Sequence, residues 1–241
     1  MASASGSAPL AVISGIGTGL GSSLCRRLSR EGFAVAGLAR SETQGRRLEH
    51  ELSGNATAFR FYACDITDEA SVSATVSQLS EDWGPPSVLV HNAGQLLIKP
   101  FVEVTAAEFE AMWRVTALGA MLTAKAVIPG MKAQGGGTII FTGATAGIRG
   151  GARFSAFASA KFALRGLAQS LAREHGPLGI HVVHAVLDGI MWGGISRGLV
   201  DAPREACIEP DAVAEAYLQL IRQDKSAWTH EIDLRPSVEN F

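Results

Sequence analysis

Short apolar runs alternate along this chain with longer segments in which apolar residues recur every three or four positions. An apolar run of about four to eight residues is typical of a strand buried on both faces, and the longer repeat indicates an amphipathic helix. The predicted strands cover residues 10–13, 33–38, 58–62, 88–90, 138–141 and 180–187, with 228–234 as a candidate seventh. Such strands separated by helices predict a parallel sheet covered on both faces.

Polar residues predict where several of the helices begin and end. Asp68 is a predicted N-cap, and Thr105 with Glu108 has the spacing of a capping box at the start of a long helix. Pro129 and the glycines that follow it are predicted to end that helix. Residues 189–209 are the one irregular zone, and they fit either a mobile flap over a site or an ordinary surface excursion. We expect a disordered tail over residues 1–8 and a single domain over 9–241.

A glycine-rich segment, SGIGTGLG at residues 14–21, lies between the first predicted strand and the first predicted helix. Glycines permit a tight turn and let backbone N–H groups approach a pyrophosphate, and the helix N-terminus adds the positive end of its dipole. The strand–turn–helix setting makes this segment a candidate dinucleotide site.

The end of the second predicted strand bears on which dinucleotide would bind. A carboxylate that holds an adenosine ribose 2′-hydroxyl is expected about 20 residues after the glycines, but this chain reads Ala39-Arg40-Ser41 there. A guanidinium attracts a 2′-phosphate and binds it bidentately, so Arg40 favours NADP(H) over NAD(H). The other interpretation of Arg40 is a solvated charge at a strand end.

Four motifs in order resemble the short-chain dehydrogenase/reductase family across nearly the whole chain. They are the glycine segment 14–21, Asp65 after the third predicted strand, the Asn-Ala-Gly triplet 92–94 after the fourth, and Lys161 on the helix after the fifth. The resemblance implies a Rossmann-type α/β fold, doubly wound, with about seven mostly parallel strands in three layers. It also implies a homodimer or homotetramer built through the long helix and the helix that carries Lys161.

The resemblance further implies a set of cofactor contacts on this chain. Together with Arg40, the residues that would contact the dinucleotide are Gly15, Ile16, Gly19, Leu20, Gly21, Asp65, Ile66, Asn92, Ala93, Gly94, Lys161, Asp188 and Gly189.

The catalytic residues depart from the family's pattern of Ser, Tyr, Lys and Asn. Ala144 occupies the Ser position, Phe157 the Tyr position and Thr116 the Asn position, so Lys161 alone is kept. The chain resembles an atypical branch in which Phe replaces the Tyr. Asp188 and Gly189 also stand where the family has Pro-Gly after the sixth strand.

These replacements remove the family's proton donor, which is typically worth about 10²–10⁴ in rate. We therefore expect an NADP(H)-dependent oxidoreductase that acts, if at all, on a small carbonyl or alcohol substrate through an altered proton relay. The alternatives are a non-redox enzyme (a cyclase, isomerase or lyase) and a catalytically silent NADP(H)-binding protein. Candidate substitutes for the lost groups are Thr142, Thr145, Lys161 and Asp188. Asp188 could also be a substrate contact, but a helix cap is the preferred interpretation.

Arg149 and Arg153 are interpreted as solvated surface charges, with a clamp for an anionic substrate as the alternative. Trp192 either lines a pocket or buries itself against the flap.

Composition narrows the functional classes further. A net charge of −2 gives no sign of a nucleic-acid or membrane partner. The 3 cysteines are far apart, and His181 and His184 point to opposite faces of a strand, so no metal site is predicted. No signal peptide or membrane span is recognised, and we expect a cytoplasmic protein.

Overall fold

The computed structural model describes residues 8–54, 58–194 and 202–239. The strands are β1 (Leu10–Ser14), β2 (Ala34–Ala39), β3 (Phe59–Ala63), β4 (Val88–His91), β5 (Gly137–Thr142), β6 (Ile180–Leu187), β7 (Ile190–Met191), β8 (Cys207–Ile208) and β9 (Glu231–Leu234). The α-helices are α1 (Leu20–Arg30), α2 (Glu42–Leu52), α3 (Glu69–Trp83), α4 (Ala106–Trp113), α5 (Gly119–Ala133), α6 (Ser155–His175) and α7 (Pro210–Ile221).

One sheet of seven strands runs through the described part of the chain in the order β3-β2-β1-β4-β5-β6-β9. Every neighbouring pair in this sheet is parallel. The order reverses between β1 and β4, and ligands of open parallel sheets bind in the crevice outside the carboxyl ends of the strands at such a point. The predicted doubly wound fold is confirmed, and the candidate seventh strand is β9.

Helices cover both faces of the sheet and bury two separate apolar cores. One core packs Leu79 of α3, Leu122 of α5 and Leu164 of α6 against one face, and the other packs Leu24 of α1 and Leu218 of α7 against the opposite face. This arrangement gives the three predicted layers.

The predicted helix starts are confirmed, and so is the end of the long helix just before the glycines 135–137, but Pro129 is not part of that end. The Asp68 side chain accepts a hydrogen bond from Ala70 N at 3.1 Å, and Thr105 and Glu108 form the capping box. Pro129 does not end the long helix; it lies inside α5, which continues to Ala133. A proline inside a helix removes one hydrogen bond and crowds the preceding turn, but the neighbouring Ile128 and Met131 are buried in the core, which outweighs this local cost.

The long helix contains a turn of π-helix, Arg114–Leu118, between α4 and α5. Such turns insert one extra residue per turn and occur frequently at functional sites. Residues 106–133 are together long and apolar enough to cross a membrane, but 56% of the most apolar window is buried within the protein, as in the core helix of a soluble protein.

The described ends of the irregular zone 189–209 contain regular structure. Its two ends pair as the short parallel ladder of β7 and β8. Residues 195–201 of this zone lie outside the described residues. So do residues 1–7 of the predicted tail, whereas Ala8 packs against the core.

Candidate functional site

The glycine segment forms a tight turn at the carboxyl end of β1. Gly15 has a φ of 86°, and a Cβ on it would lie 2.6 Å from the backbone of Ala93. A Cβ on Gly21 would lie 2.3 Å from the carbonyl oxygen of Gly15. Packing therefore requires glycine at both positions, because no side chain fits between these backbones.

The Asn-Ala-Gly triplet supports this turn from the neighbouring strand. Asn92 Nδ2 donates to the carbonyl oxygen of Gly15 at 2.9 Å, and Asn92 N donates to Ser14 O at 3.0 Å. The triplet thus fixes the shape of the glycine turn. Ile16 and Leu20 anchor the same turn by burying their side chains in the core. Ile66, in the loop after β3, is also buried.

Two glycines leave open space where a ligand would need it. A Cβ on Gly17 would meet no atom within 4 Å, and a Cβ on Gly94 would meet only Lys161 Nζ, at 3.8 Å. Gly19 is the N-cap of α1, so the helix dipole points at this space. The turn therefore fits the pyrophosphate of a dinucleotide.

The opposite edge of the crevice carries one cation and one anion. Arg40 is exposed directly after β2. Asp65 accepts hydrogen bonds from Thr67 N at 2.9 Å and from Thr67 Oγ1 at 2.8 Å. These bonds, with a smaller contribution from Arg40, lower the pKa of Asp65, so the carboxylate is held anionic.

Lys161 lies on α6 and is buried beneath the carboxyl end of β5. Its Nζ donates to Thr142 O at 2.7 Å, and burial lowers its pKa to about 8. The ammonium lies 5.7 Å from the centroid of the Phe157 ring. The residues at the family's Lys and Tyr positions are therefore neighbours, as their spacing on one helix predicts.

The surroundings of Phe157 are apolar. Its ring packs on a small cluster of Met112, Ala156 and Ala160 together with Leu97. A cleft of about 410 Å³ opens beside this cluster, lined by Gly94, Gln95, Leu96, Leu97, Glu108, Ala111 and Met112. The place where a phenol would act presents a hydrocarbon surface instead.

The two other replaced positions also provide no usable group. Ala144 directly follows β5 and its glycine, and it has no polar side chain. Thr116 lies in the π-helical turn, where its hydroxyl is buried without a hydrogen-bond partner. Of the three residues predicted at the Tyr, Ser and Asn positions, Phe157 and Ala144 have no hydroxyl and the hydroxyl of Thr116 is buried.

Of the two candidate substitute hydroxyls, those of Thr142 and Thr145, that of Thr142 is buried against another side chain. Its Oγ1 accepts a hydrogen bond from the Tyr217 hydroxyl at 3.1 Å, and both side chains are buried. Burial raises the pKa of Tyr217 well above its usual range. Tyr217 was missed in the sequence analysis, because it lies within the apolar stripe of α7.

Asp188 is not a helix cap, contrary to the narrow preference from the sequence. No helix starts there, because the chain continues into β7. The carboxylate is buried, accepts a hydrogen bond from Thr145 Oγ1 at 2.5 Å and lies 3.1 Å from Arg235. The Arg149 guanidinium lies 3.7 Å from Asp188 Oδ1. Arg149 is therefore an exposed charge that also forms an ion pair. A buried carboxylate needs such partners.

Neighbouring positions complete the description of the site. Gly189 has a φ of 153°, and a Cβ on it would lie 2.8 Å from Pro236. Arg153 is exposed, with a φ of 69°. Trp192 is 41% exposed and lies against Arg204, with 5.5 Å between the guanidinium carbon and the ring centroid, so it does not bury itself fully.

His91, at the end of β4, is buried, with Nδ1 3.0 Å from Ser14 Oγ. Burial lowers its pKa to about 3, which keeps it neutral. Within residues 8–54, 58–194 and 202–239, no group of three or more His, Cys, Asp or Glu side chains could hold a metal ion.

The segment after β7 lies over the glycine turn. Thr18 Oγ1 donates to Gly193 O at 3.2 Å, and a Cβ on Gly19 would lie 3.1 Å from Gly194 Cα. The start of the irregular zone therefore packs against the glycine turn.

The sequence of this chain is similar to those of known proteins. Residues 9–196 match the family described as short chain dehydrogenase. A short-chain dehydrogenase/reductase of Armillaria gallica is 36% identical over 177 residues, covering 72% of this chain and 67% of the relative. The L-2,3-butanediol dehydrogenase of Corynebacterium glutamicum is 32% identical over 189 residues, covering 77% of this chain and 73% of the relative.

A solved structure extends the match to almost the whole fold. The alcohol dehydrogenase from the archaeon Thermococcus sibiricus, complexed with 5-hydroxy-NADP, superposes with a TM-score of 0.87 at 27% identity. The match covers 96% of this chain and 98% of that one.

Proposed function

Because the chain belongs to the short-chain dehydrogenase/reductase family of oxidoreductases, we propose that it binds NADP(H) and acts on a small alcohol or carbonyl compound through an altered proton relay. The observation that carries the proposal is Lys161. It is buried beside Gly94 of the triplet that supports the glycine turn, while Phe157 beside it and Ala144 after β5 have no hydroxyl.

This chain's residues divide the work of holding the dinucleotide. The turn from Gly15 to Gly21 holds the pyrophosphate, Asp65 the adenine and Lys161 the hydroxyls of the nicotinamide ribose. When bound, the nicotinamide supplies or accepts a hydride. Asp188 and Gly189 border the nicotinamide end of the crevice, where Phe157 and Leu97 exclude water from the substrate.

Arg40 supports a preference for NADP(H), because it is exposed and the second strand lacks a carboxylate at its end. Fluorescence titration with NADPH and NADH tests this preference. Arg40→Ala should weaken NADPH binding by roughly tenfold or more and leave NADH binding unchanged, since one charge-assisted contact to phosphate is lost. Arg47→Ala, which removes an exposed cation from the middle of α2, is the matched control. Tighter binding of NADH by the wild type would refute the preference.

The redox function is tested with a panel of alcohols and carbonyl compounds. Turnover by the wild type and its loss in Lys161→Ala are the expected results. A double variant, Phe157→Tyr with Ala144→Ser, restores the family's hydroxyls and should raise the rate if the site geometry is preserved. An absence of turnover in the wild type with NADPH binding intact would contradict the redox proposal and favour a non-redox enzyme or a silent binding protein.

Exposed aromatic side chains support the proposal of a homodimer or homotetramer. Phe109 and Trp113 on α4 and Phe162 on α6 are 39%, 41% and 45% exposed. They are carried by the two helices through which the family resemblance implies that subunits pair. Sedimentation that shows only a 25.2 kDa species would refute the proposal. We also propose a cytoplasmic location, which imaging of a fluorescent fusion in the native cell would test.

A further inference from the structure

The replaced catalytic residues leave the site in need of a group that can exchange a proton with a substrate oxygen. Four described hydroxyls lie near the vacant positions. Thr142 is buried against Tyr217, and Thr116 is buried in the π-helical turn, so a substrate reaches neither hydroxyl. Ser155 is half-buried at the start of α6, with its hydroxyl oxygen buried and without a hydrogen-bond partner. Thr145 is the fourth, and it alone is both half-buried and bonded to a carboxylate.

Thr145 is well placed for the role. It directly follows Ala144, the residue at the family's Ser position. The short turn that begins with Thr145 packs on α6 beside Lys161, since a Cβ on Gly147 would lie 3.3 Å from Lys161 O. The hydroxyl therefore belongs to the same end of the sheet as Lys161 and the glycine turn.

The hydrogen bond to Asp188 fixes the direction in which Thr145 can act. Thr145 Oγ1 donates its proton to Asp188 Oδ1 at 2.5 Å, while Arg235 lies against Oδ2 at 3.1 Å and Arg149 lies 3.7 Å from Oδ1. Because the hydroxyl proton is committed to the carboxylate, the remaining lone pairs of Oγ1 are acceptors. Such a group accepts a proton from an alcohol more readily than it donates one to a ketone.

We propose that Thr145 and Asp188 form a proton-accepting pair and that the substrate is an alcohol with an apolar substituent; the inference rests on the NADP(H) function proposed above. The proton of the substrate hydroxyl passes to Thr145 Oγ1 as the proton of Thr145 passes to Asp188 Oδ1. The hydrogen on the substrate carbon leaves as the hydride that the oxidised cofactor accepts. The alcohol becomes a ketone or aldehyde, and Asp188 becomes a neutral carboxylic acid that returns its proton to solvent.

The apolar cluster around Phe157 supports the second half of the proposal. Leu97 and Met112 line the adjoining cleft, and Phe157 packs on the same cluster. A hydrocarbon substituent of the alcohol buries surface there, at about 25 cal/mol for each Å² removed from water.

The test uses ¹⁹F NMR to measure the affinities of 1-(4-fluorophenyl)ethanol and 4-fluoroacetophenone. The alcohol is titrated in the presence of NADPH and the ketone in the presence of NADP⁺, because neither combination can react. Thr145→Val should weaken alcohol binding by roughly tenfold and ketone binding by less than about twofold, since only the alcohol donates to Oγ1. Thr145→Ser should bind both as the wild type does.

Asp188→Asn should change the affinities of the alcohol and the ketone in opposite directions. The amide of Asn can donate to Thr145 Oγ1, which turns the hydroxyl proton towards the ligand. Alcohol binding should weaken and ketone binding should strengthen, a reversal that a general loss of packing would not produce. Ser155→Ala, which removes a buried hydroxyl from the start of α6, is the control and should change neither affinity. Thermal unfolding checks that each variant is folded.

The outcomes separate the inference from the function on which it rests. Equal loss of both ligands in Thr145→Val, or unchanged alcohol binding, overturns the proton-accepting pair. Failure of the wild type to bind either probe while NADPH titrates normally also overturns it and leaves the cofactor proposal intact. Failure to bind NADPH overturns the proposed function itself.

Discussion

The burial of Lys161 predicts a specific dependence of stability on pH. The variant is Lys161→Met, which keeps an unbranched side chain of similar length and removes the amine. In the cofactor-free protein the wild-type ammonium is buried with one hydrogen bond, to Thr142 O. Burial disfavours its charged form and lowers its pKa from 10.5 to about 8.

The magnitude and its sign follow from this pKa. At about 1.36 kcal/mol per pKa unit, the fall corresponds to roughly 3 kcal/mol. Between pH 8 and 10.5 the unfolded chain binds a proton that the folded chain has lost, so the free energy of unfolding rises with pH through this window. Below the window both states are protonated, and the full destabilisation by the buried charge is present.

Urea unfolding of the wild type and the variant from pH 7 to pH 10 measures the effect. The free energy of unfolding of the wild type, minus that of Lys161→Met, should increase by roughly 2–3 kcal/mol over this range. The lost hydrogen bond to Thr142 O adds a constant of about 1 kcal/mol that does not depend on pH. Other titrating groups, such as the buried cysteines and tyrosines, cancel in the difference.

Lys132→Met, which removes an exposed lysine from the end of α5, is the control and should give a flat difference. A flat difference for Lys161→Met as well would show that the amine is solvated in the folded protein, and the argument from burial would fail.

Three further predictions test other parts of the fold. Gly17→Ala should leave the melting temperature unchanged, because its Cβ would meet no atom within 4 Å; it should weaken NADPH binding by roughly tenfold in a fluorescence titration, whereas Gly150→Ala should not. Thr105→Ala should lower the free energy of unfolding by about 1 kcal/mol in urea because it removes a cap, and Ser41→Ala should not, because Ser41 makes no capping bond. Ellman's reagent should label no thiol in the native protein and 3 after denaturation, because all cysteines are buried: Cys25, Cys64 and Cys207.

The fold was largely predictable because its strands and helices follow from patterns of neighbouring residues. Strands buried on both faces are continuous apolar runs, and the caps at Asp68 and Thr105 follow from polar residues at fixed offsets. Pro129 misled the prediction of a helix end because packing of the buried residues around it outweighs the local preference. The π-helical turn was not predicted, since its residues have no unusual composition.

The candidate site was predictable only in part, for a different reason. The glycine turn and the lysine have fixed spacing along the chain. The partners of Asp188, by contrast, come from two distant segments, with Thr145 and Arg149 before α6 and Arg235 after β9. These contacts form only when the sheet brings distant segments together. Residue spacing along the chain therefore does not predict them. For the same reason the bond between Tyr217 and Thr142 was missed.

The hydrogen bond from Asn92 to Gly15 has a consequence for how the protein acquires its ligand site during synthesis. The two residues are 77 positions apart, so this hydrogen bond forms only after β4 has come to lie beside β1. A nascent chain that ends before this triplet lacks the bond that supports the glycine turn from the neighbouring strand. The nucleotide site is therefore completed by a contact between distant parts of the chain. We expect this contact to form late, because the long stretch of chain between the two residues must close first.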